Sequence, residues 1–162
     1  MIGPDLYKSV MRQHAASVVV ISPRATDELQ FMTATAFTPV SLEPPLVLFC
    51  IHKTSDTHRL LQIGSDVGIS LLSDKQESLS RRFSSKAADR YAVGDVEIAS
   101  GPGRTFLLAG SCAVMEVRVT ETHNAGDHSI FVGEVLWATA ESDSLKSPLV
   151  YHSGRYASIA AH

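Results

Sequence analysis

Residues 108–140 read LAGSCAVMEVRVTETHNAGDHSIFVGEVLWATA, and this stretch decides the fold class. Its first part alternates: Ala113, Met115, Val117 and Val119 fall on one face and Glu116, Arg118 and Thr120 on the other, the period-two pattern of a half-buried strand over residues 108–122. Residues 129–140 form a second long strand, and residues 123–128, with Gly126 and Asp127, form the turn between them. Two long strands joined this closely pair antiparallel.

The flanking segments extend the pattern. Residues 149–151 and 155–159 are short strands on either side of a Ser153-Gly154 turn. Upstream, residues 17–22 are β-branched and apolar, residues 32–37 are rich in Thr and Ala, and residues 45–51 read as a fully buried strand after a Pro-Pro stop. Residues 67–72 form one more. Helices are few: residues 4–14 pair Leu6 with Val10 and Tyr7 with Met11 behind Pro4. Thr54, Ser55, Asp56 and Thr57 cap a helix whose apolar face is Leu60, Leu61 and Ile63, stopped by Gly64. Asp74 and Glu77 have capping-box spacing before a third helix in which Leu79 and Phe83 lie one turn apart, with Arg81 and Arg82 near its end. Residues 84–106 carry Gly94, Gly101, Pro102 and Gly103 and read as an irregular surface excursion. About seven strands with short helices favour a mainly β, antiparallel barrel over a doubly wound parallel sheet, in one domain spanning residues 1–162.

Composition narrows the function. The chain is 44% hydrophobic and 19% charged, an ordinary globular balance. Its net charge of −3, with no basic stripe, argues against nucleic acid as a partner. The longest apolar run, residues 46–51, is too short to span a bilayer, so no membrane is expected and the chain reads as cytoplasmic. Cys50 and Cys112 sit in apolar strands and read as buried free thiols.

Several chemical signatures fail. Gly101 and Gly103 begin a G-x-G, but Phe106 occupies the third position and a strand follows, so the dinucleotide fingerprint is not met. There is no phosphate loop and no nucleophile elbow. His52 with His58, and His123 with His128, lack the spacing that sets two ligands on one helical face, so no metal is expected. What remains is the turn at 53–59, a helix start where Ser55 and Thr57 with Lys53 or Arg59 could cradle a phosphate, with Asp56 opposing it. A well-capped helix accounts for the same residues. His128, beside Asp127 at the hairpin, can hydrogen-bond a carboxamide or phosphate or simply face solvent. Tyr151, Arg155 and Tyr156 suit stacking on a planar ring or a packed final strand.

Taken in order, Met32-Thr33-Ala34-Thr35-Ala36-Phe37, Val40-Ser41-Leu42-Glu43-Pro44-Pro45-Leu46-Val47, Cys50-Ile51 with Ser55 and Thr57, the Arg82-Phe83 ending of residues 79–83, Gly126-Asp127-His128 with Phe131-Val132-Gly133-Glu134-Val135, and Pro148-Leu149-Val150-Tyr151 closing on Gly154-Arg155-Tyr156 resemble the flavin reductase-like family. The resemblance implies an FMN-binding split barrel that takes a hydride from NADH or NADPH, reduces FMN or FAD, and supplies a flavin-dependent monooxygenase as a homodimer with a site built across the subunit interface. It further implies that Thr33, Ala34 and Thr35 line the flavin ring; that Lys53, Ser55 and Thr57 hold its phosphate; that Arg82 and Phe83 approach the ribityl and phosphate end; and that His128 is catalytic on the nicotinamide side, with Tyr151, Arg155 and Tyr156 near the ring opening. The chain departs from the family at Phe31, where Gly often precedes Met-Thr-Ala. Two rival activities share the barrel: a non-catalytic flavin carrier and an oxidase resembling pyridoxamine-phosphate oxidase.

Overall fold

The computed structural model describes residues 2–24, 29–87, 90–92, 94–103, 105–140 and 146–159. In chain order the elements are α1 (Pro4–Met11), β1 (Ala16–Ser17), β2 (Val19–Pro23), β3 (Met32–Ala34), β4 (Phe37–Leu42), β5 (Pro45–His52), α2 (Asp56–Arg59), β6 (Asp66–Leu71), a 3-10 turn (Asp74–Gln76), α3 (Glu77–Ser84), β7 (Ile98–Ser100), β8 (Phe106–Leu108), β9 (Ala113–Ala125), β10 (His128–Ala140), β11 (Leu149–His152) and β12 (Arg155–Ser158). Strands dominate and pair antiparallel, as the alternation predicts.

The main sheet has seven strands in the order β3-β2-β6-β9-β10-β5-β4. Its two edge strands, β3 and β4, are consecutive in the chain and separated only by Thr35 and Ala36. Two extended residues reach roughly 7 Å, far less than the width of a flat seven-stranded sheet at about 4.8 Å per strand. The sheet therefore curls until its edges meet, and the amide of Cys50 on β5 donates to the carbonyl of Ala36 in the join (3.0 Å). The expected strand over residues 32–37 is thus two strands of one barrel, broken where the chain crosses the seam.

Inside the barrel, Val19, Ile21, Val47, Phe49, Ile51, Val67, Ile69, Val117, Val119 and Phe131 form one core. Phe49 and Phe131 are direct cross-strand partners, and their rings stack at 5.5 Å. A second core lies outside β2, where Val18 and Val20 meet Phe31, Leu72, Phe83, Leu108 and Leu149. Residues 17–22, read as one strand, are divided between β1 and β2, and β2 is buried on both faces. Full burial was expected of residues 45–51 instead; β5 buries Val47, Phe49 and Ile51 but leaves the alternate residues partly open, because only one face meets the barrel interior.

Other departures have local causes. The helix after Lys53 is a single turn, capped by Ser55, whose Oγ accepts from the His58 amide (3.1 Å). It does not continue to Ile63: Leu61 turns into the core while Ile63 is exposed. The capping box before α3 lies one residue earlier than the Asp74–Glu77 spacing suggests, with Gln76 Oε1 accepting from the Ser73 amide (3.0 Å). The β9–β10 turn is tighter than residues 123–128, because Ala125 pairs with His128 and only Gly126 and Asp127 lie between them. Gly126 has a φ of 61°, which fits a primed hairpin turn. Part of residues 84–106 is regular, since β7 pairs with β8.

Glu116 breaks the β9 alternation by being buried. Its carboxylate accepts from the amide of Gly103 (2.7 Å) and from the amide (3.2 Å) and hydroxyl (2.8 Å) of Thr105, so its burial is compensated by donors. A Cβ on Gly101 or Gly103 would stand 2.3 or 2.7 Å from a Glu116 oxygen. The G-x-G is there for a carboxylate of the protein itself. Among the described residues no helix is long and apolar enough to cross a membrane.

Gly68 on β6 lets the β8 backbone approach, since a Cβ there would lie 2.3 Å from the Phe106 carbonyl oxygen. Gly68→Ala is expected to destabilise the fold by about 2 kcal/mol, read as a lower denaturant midpoint with the slope unchanged; an unchanged midpoint would contradict the packing.

Candidate active site

The barrel seam opens into a cleft of about 620 Å³. Phe31, Met32 and Thr33 form one wall, His52 with Thr54–Thr57 another, and Phe83 with Ser84, Ser85, Lys86, Arg90 and Tyr91 the third. The cleft is apolar at the β3 side and polar at the α2 side.

On the apolar side, Phe31 is almost fully buried and stacks on Phe83 at 4.8 Å. The Phe31 side chain belongs to the second core and floors the cleft. Thr33 donates its hydroxyl to the Ser80 carbonyl of α3 (2.7 Å), tying the edge strand to the helix. Thr35 lines a neighbouring cleft of about 540 Å³ together with Ala36, Tyr7, Lys8, Met11, Arg12, His14 and Tyr151. The threonine strand therefore runs between two openings, with Ala34 in the middle.

On the polar side, Ser55 Oγ accepts from the His58 amide, which leaves its proton available to a ligand. Thr57 is buried and makes no side-chain hydrogen bond among the described residues. Asp56, a carboxylate that would repel an anion, is neutralised by Arg59 and by Arg90 (2.8 Å). Arg90 also donates to the Ser85 carbonyl (3.1 Å) and lies over the Tyr91 ring. Lys86 and Arg90 are site residues that sequence reasoning missed. They sit in the glycine-containing excursion with no periodicity to mark them; only their charge was a signal.

The remaining predicted residues divide. Lys53 reaches the hairpin, where Nζ donates to the Gly126 carbonyl (2.7 Å), and it does not line the cleft. Arg82 is engaged with Asp95 (2.8 Å) and the Ala92 carbonyl (2.5 Å), tethering the excursion; the guanidinium holds the Asp95 carboxyl below its ordinary range. Tyr156 bonds Ser80 Oγ (2.8 Å), lies under Arg81 and meets Tyr151 edge-on at 5.2 Å. Arg155 is exposed. His128 lies at the start of β10 beside His52 of β5, with ring centroids 5.0 Å apart. Neither cleft is lined by both His128 and Tyr151.

Cys50 and Cys112 are free, and burial pushes both thiols up, away from a reactive thiolate. No group of three or more metal-ligating side chains is assembled among the described residues.

Comparison with known proteins shows what the chain is similar to. The model of the flavin reductase like domain matches residues 11–160. An NADH:FMN oxidoreductase of Rhodococcus qingshengii is 36% identical over 93% of this chain and 79% of its own. The reductase subunit of a flavin-dependent monooxygenase of Mycobacterium tuberculosis is 32% identical over 98% of this chain and 83% of its own. Among solved structures, the NADH:FAD oxidoreductase of Streptomyces globisporus, in complex with NAD and FAD fragments, superposes with a TM-score of 0.88 at 30% identity, covering 99% of this chain and 96% of that one.

The hydrogen bond from His128 Nδ1 (2.7 Å) is the main reason that the Asp127 carboxyl is held below its ordinary range. A depressed carboxyl stabilises the fold at neutral pH and loses that contribution as pH falls through its folded-state value, on the acid side of the usual carboxylate range. Carboxyl-carbon NMR is expected to show Asp127 titrating low in the wild type and moving back up in His128→Ala; the same midpoint in both would contradict the contact.

Proposed function

The chain belongs to the flavin reductase-like family, and we propose on that footing that it transfers a hydride from NADH or NADPH to FMN, with FAD as the alternative flavin, and delivers the reduced flavin to a partner monooxygenase. The observation that carries this reading is the cleft at the seam, apolar and aromatic at β3 and hydroxylated and cationic at α2. A flat apolar ring bearing a phosphorylated tail has the same polarity from end to end.

The donor set fits a flavin mononucleotide. Ser55 and Thr57 supply hydroxyls, and Lys86 and Arg90 supply positive charge with Asp56 already neutralised. This assignment rests on side chains, because a one-turn helix offers little macrodipole. Lys53 and Arg82 then act as tethers of the hairpin and the excursion. Thr33 keeps β3 in place through Ser80, and the small side chains of Ala34 and Thr35 leave room for a ring along the strand. Phe31, backed by Phe83, excludes water from the apolar end.

When bound, the flavin supplies the electron-accepting chemistry, so the protein needs neither nucleophile nor metal. Its own task is to bring two rings within reach and fix their faces. His128 is the group we assign to orienting the nicotinamide, with Tyr151, Tyr156 and Arg155 closing the opening. Homodimerisation belongs to the same proposal: α1 buries none of its residues, and Val40 and Leu42 on β4 are exposed, which leaves apolar surface for a second copy. The two unpaired cysteines suit the reducing cytoplasm.

Anaerobic titration with FMN, then NADH, is expected to show stoichiometric binding followed by bleaching of the flavin absorbance; binding without bleaching would indicate a carrier. Ser55→Ala and Thr57→Val are each expected to weaken FMN binding by about tenfold or more, as loss of one hydrogen bond to a charged group does, with little change in the rate at saturating flavin. His128→Ala is expected to raise the NADH KM about tenfold or more at saturating FMN; unchanged kinetics would remove His128 from the site.

A further inference from the structure

We infer that His52 is a positioning residue for His128: through the shared carboxylate of Asp127 it fixes His128 in its Nδ1–H tautomer, leaving Nε2 as the bare nitrogen. This inference deepens the assignment of His128 to the nicotinamide side and rests on that reading for its catalytic meaning, though the tautomers can be measured without it.

The tautomer of His52 follows from its partners. The Thr54 backbone amide lies 3.2 Å from His52 Nδ1, and a backbone N–H can only donate. The Thr54 hydroxyl, 2.9 Å from the same nitrogen, donates as well. His52 Nδ1 is therefore the acceptor, and the ring proton of the neutral form resides on Nε2. His52 Nε2 stands 3.7 Å from Asp127 Oδ2, too long for a hydrogen bond but close enough for the N–H dipole to hold the carboxylate.

The tautomer of His128 follows from Asp127. Its Oδ1 lies 2.7 Å from His128 Nδ1, and an ionised carboxylate can only accept, so Nδ1 carries the proton. A free histidine ring prefers Nε2–H, so this state depends on Asp127 staying in place. Asp127 is 77% exposed and would otherwise rotate freely. Two contacts act on the carboxylate itself, His128 on Oδ1 and His52 on Oδ2, while Lys53 fixes the backbone beneath it through its amide on the Asp127 carbonyl (3.0 Å) and its Nζ on the Gly126 carbonyl (2.7 Å). The imidazoles meet edge-on at 77°, and His128 pairs directly with His52 across the strands. On the neighbouring β9, Glu121 and His123 bond each other (2.9 Å). His52 also lines the cleft proposed for the flavin, so one ring touches both that cleft and the partner of His128.

The test is two-bond proton–nitrogen NMR of the imidazoles at about pH 8, above ordinary histidine ionisation. The pair is expected to show opposite tautomers, Nε2–H for His52 and Nδ1–H for His128. In His52→Leu, His128 is expected to shift toward Nε2–H, with the NADH KM up about fivefold at saturating FMN. His52→Gln, which presents an amide N–H, is expected to restore both. An unchanged His128 spectrum in His52→Leu, a proton on His52 Nδ1, or an unmoved KM would overturn the inference. Absence of flavin-dependent NADH oxidation by the wild type would instead defeat the functional reading and leave the tautomer result standing.

Discussion

The structure depends on one covalent constraint: the two edges of a seven-stranded antiparallel sheet are joined by Thr35 and Ala36 alone. A join that short cannot cross a flat sheet, so the strands must curl into a barrel, and β-branched and aromatic residues from five of them fill its interior. Because β3 is short, the seam cannot zip along its whole length. The opening left there is where α2, α3 and the Gly-containing excursion converge. The candidate site is a by-product of closure.

β2 makes this arrangement rigid. Val19 and Ile21 face the barrel interior while Val18 and Val20 face the second core, so the strand carrying β3 is buried on both sides. Each fully buried aliphatic side chain of this size contributes about 1.5–3 kcal/mol. Phe31 extends the second core to the cleft floor, and Thr33 fastens β3 to α3. The flavin-facing wall that we propose is therefore anchored in packed core, while the polar wall is held by the ion pairs of Asp56 with Arg59 and Arg90.

Much of this was legible in the sequence, for identifiable reasons. The β9–β10 hairpin, β6, α3 and the final hairpin carry strong periodicity or turn chemistry, which are local properties. Closure is not local: nothing in Met32-Thr33-Ala34-Thr35-Ala36-Phe37 says that the chain changes edges midway. Glu116 reads as a solvent residue because its compensating donors, Gly103 and Thr105, come from a loop with no pattern of its own. The capping residues after Lys53 were read correctly but the helix length was not, since Leu61 is claimed by the core. Ser55 and Thr57 line the cleft, whereas Lys53 bonds the hairpin and Arg82 bonds Asp95; Lys86 and Arg90, which charge alone could not single out, line the cleft as well.

The central claim is that a flavin lies along the seam with its phosphate at α2. A crystal structure of the protein grown with FMN tests it most directly. The account predicts the ring beside Phe31–Thr35 and the phosphate within hydrogen-bonding reach of Ser55, Thr57, Lys86 or Arg90. A cleft closed by the protein's own side chains, with FMN bound elsewhere or reversed end for end, would contradict it.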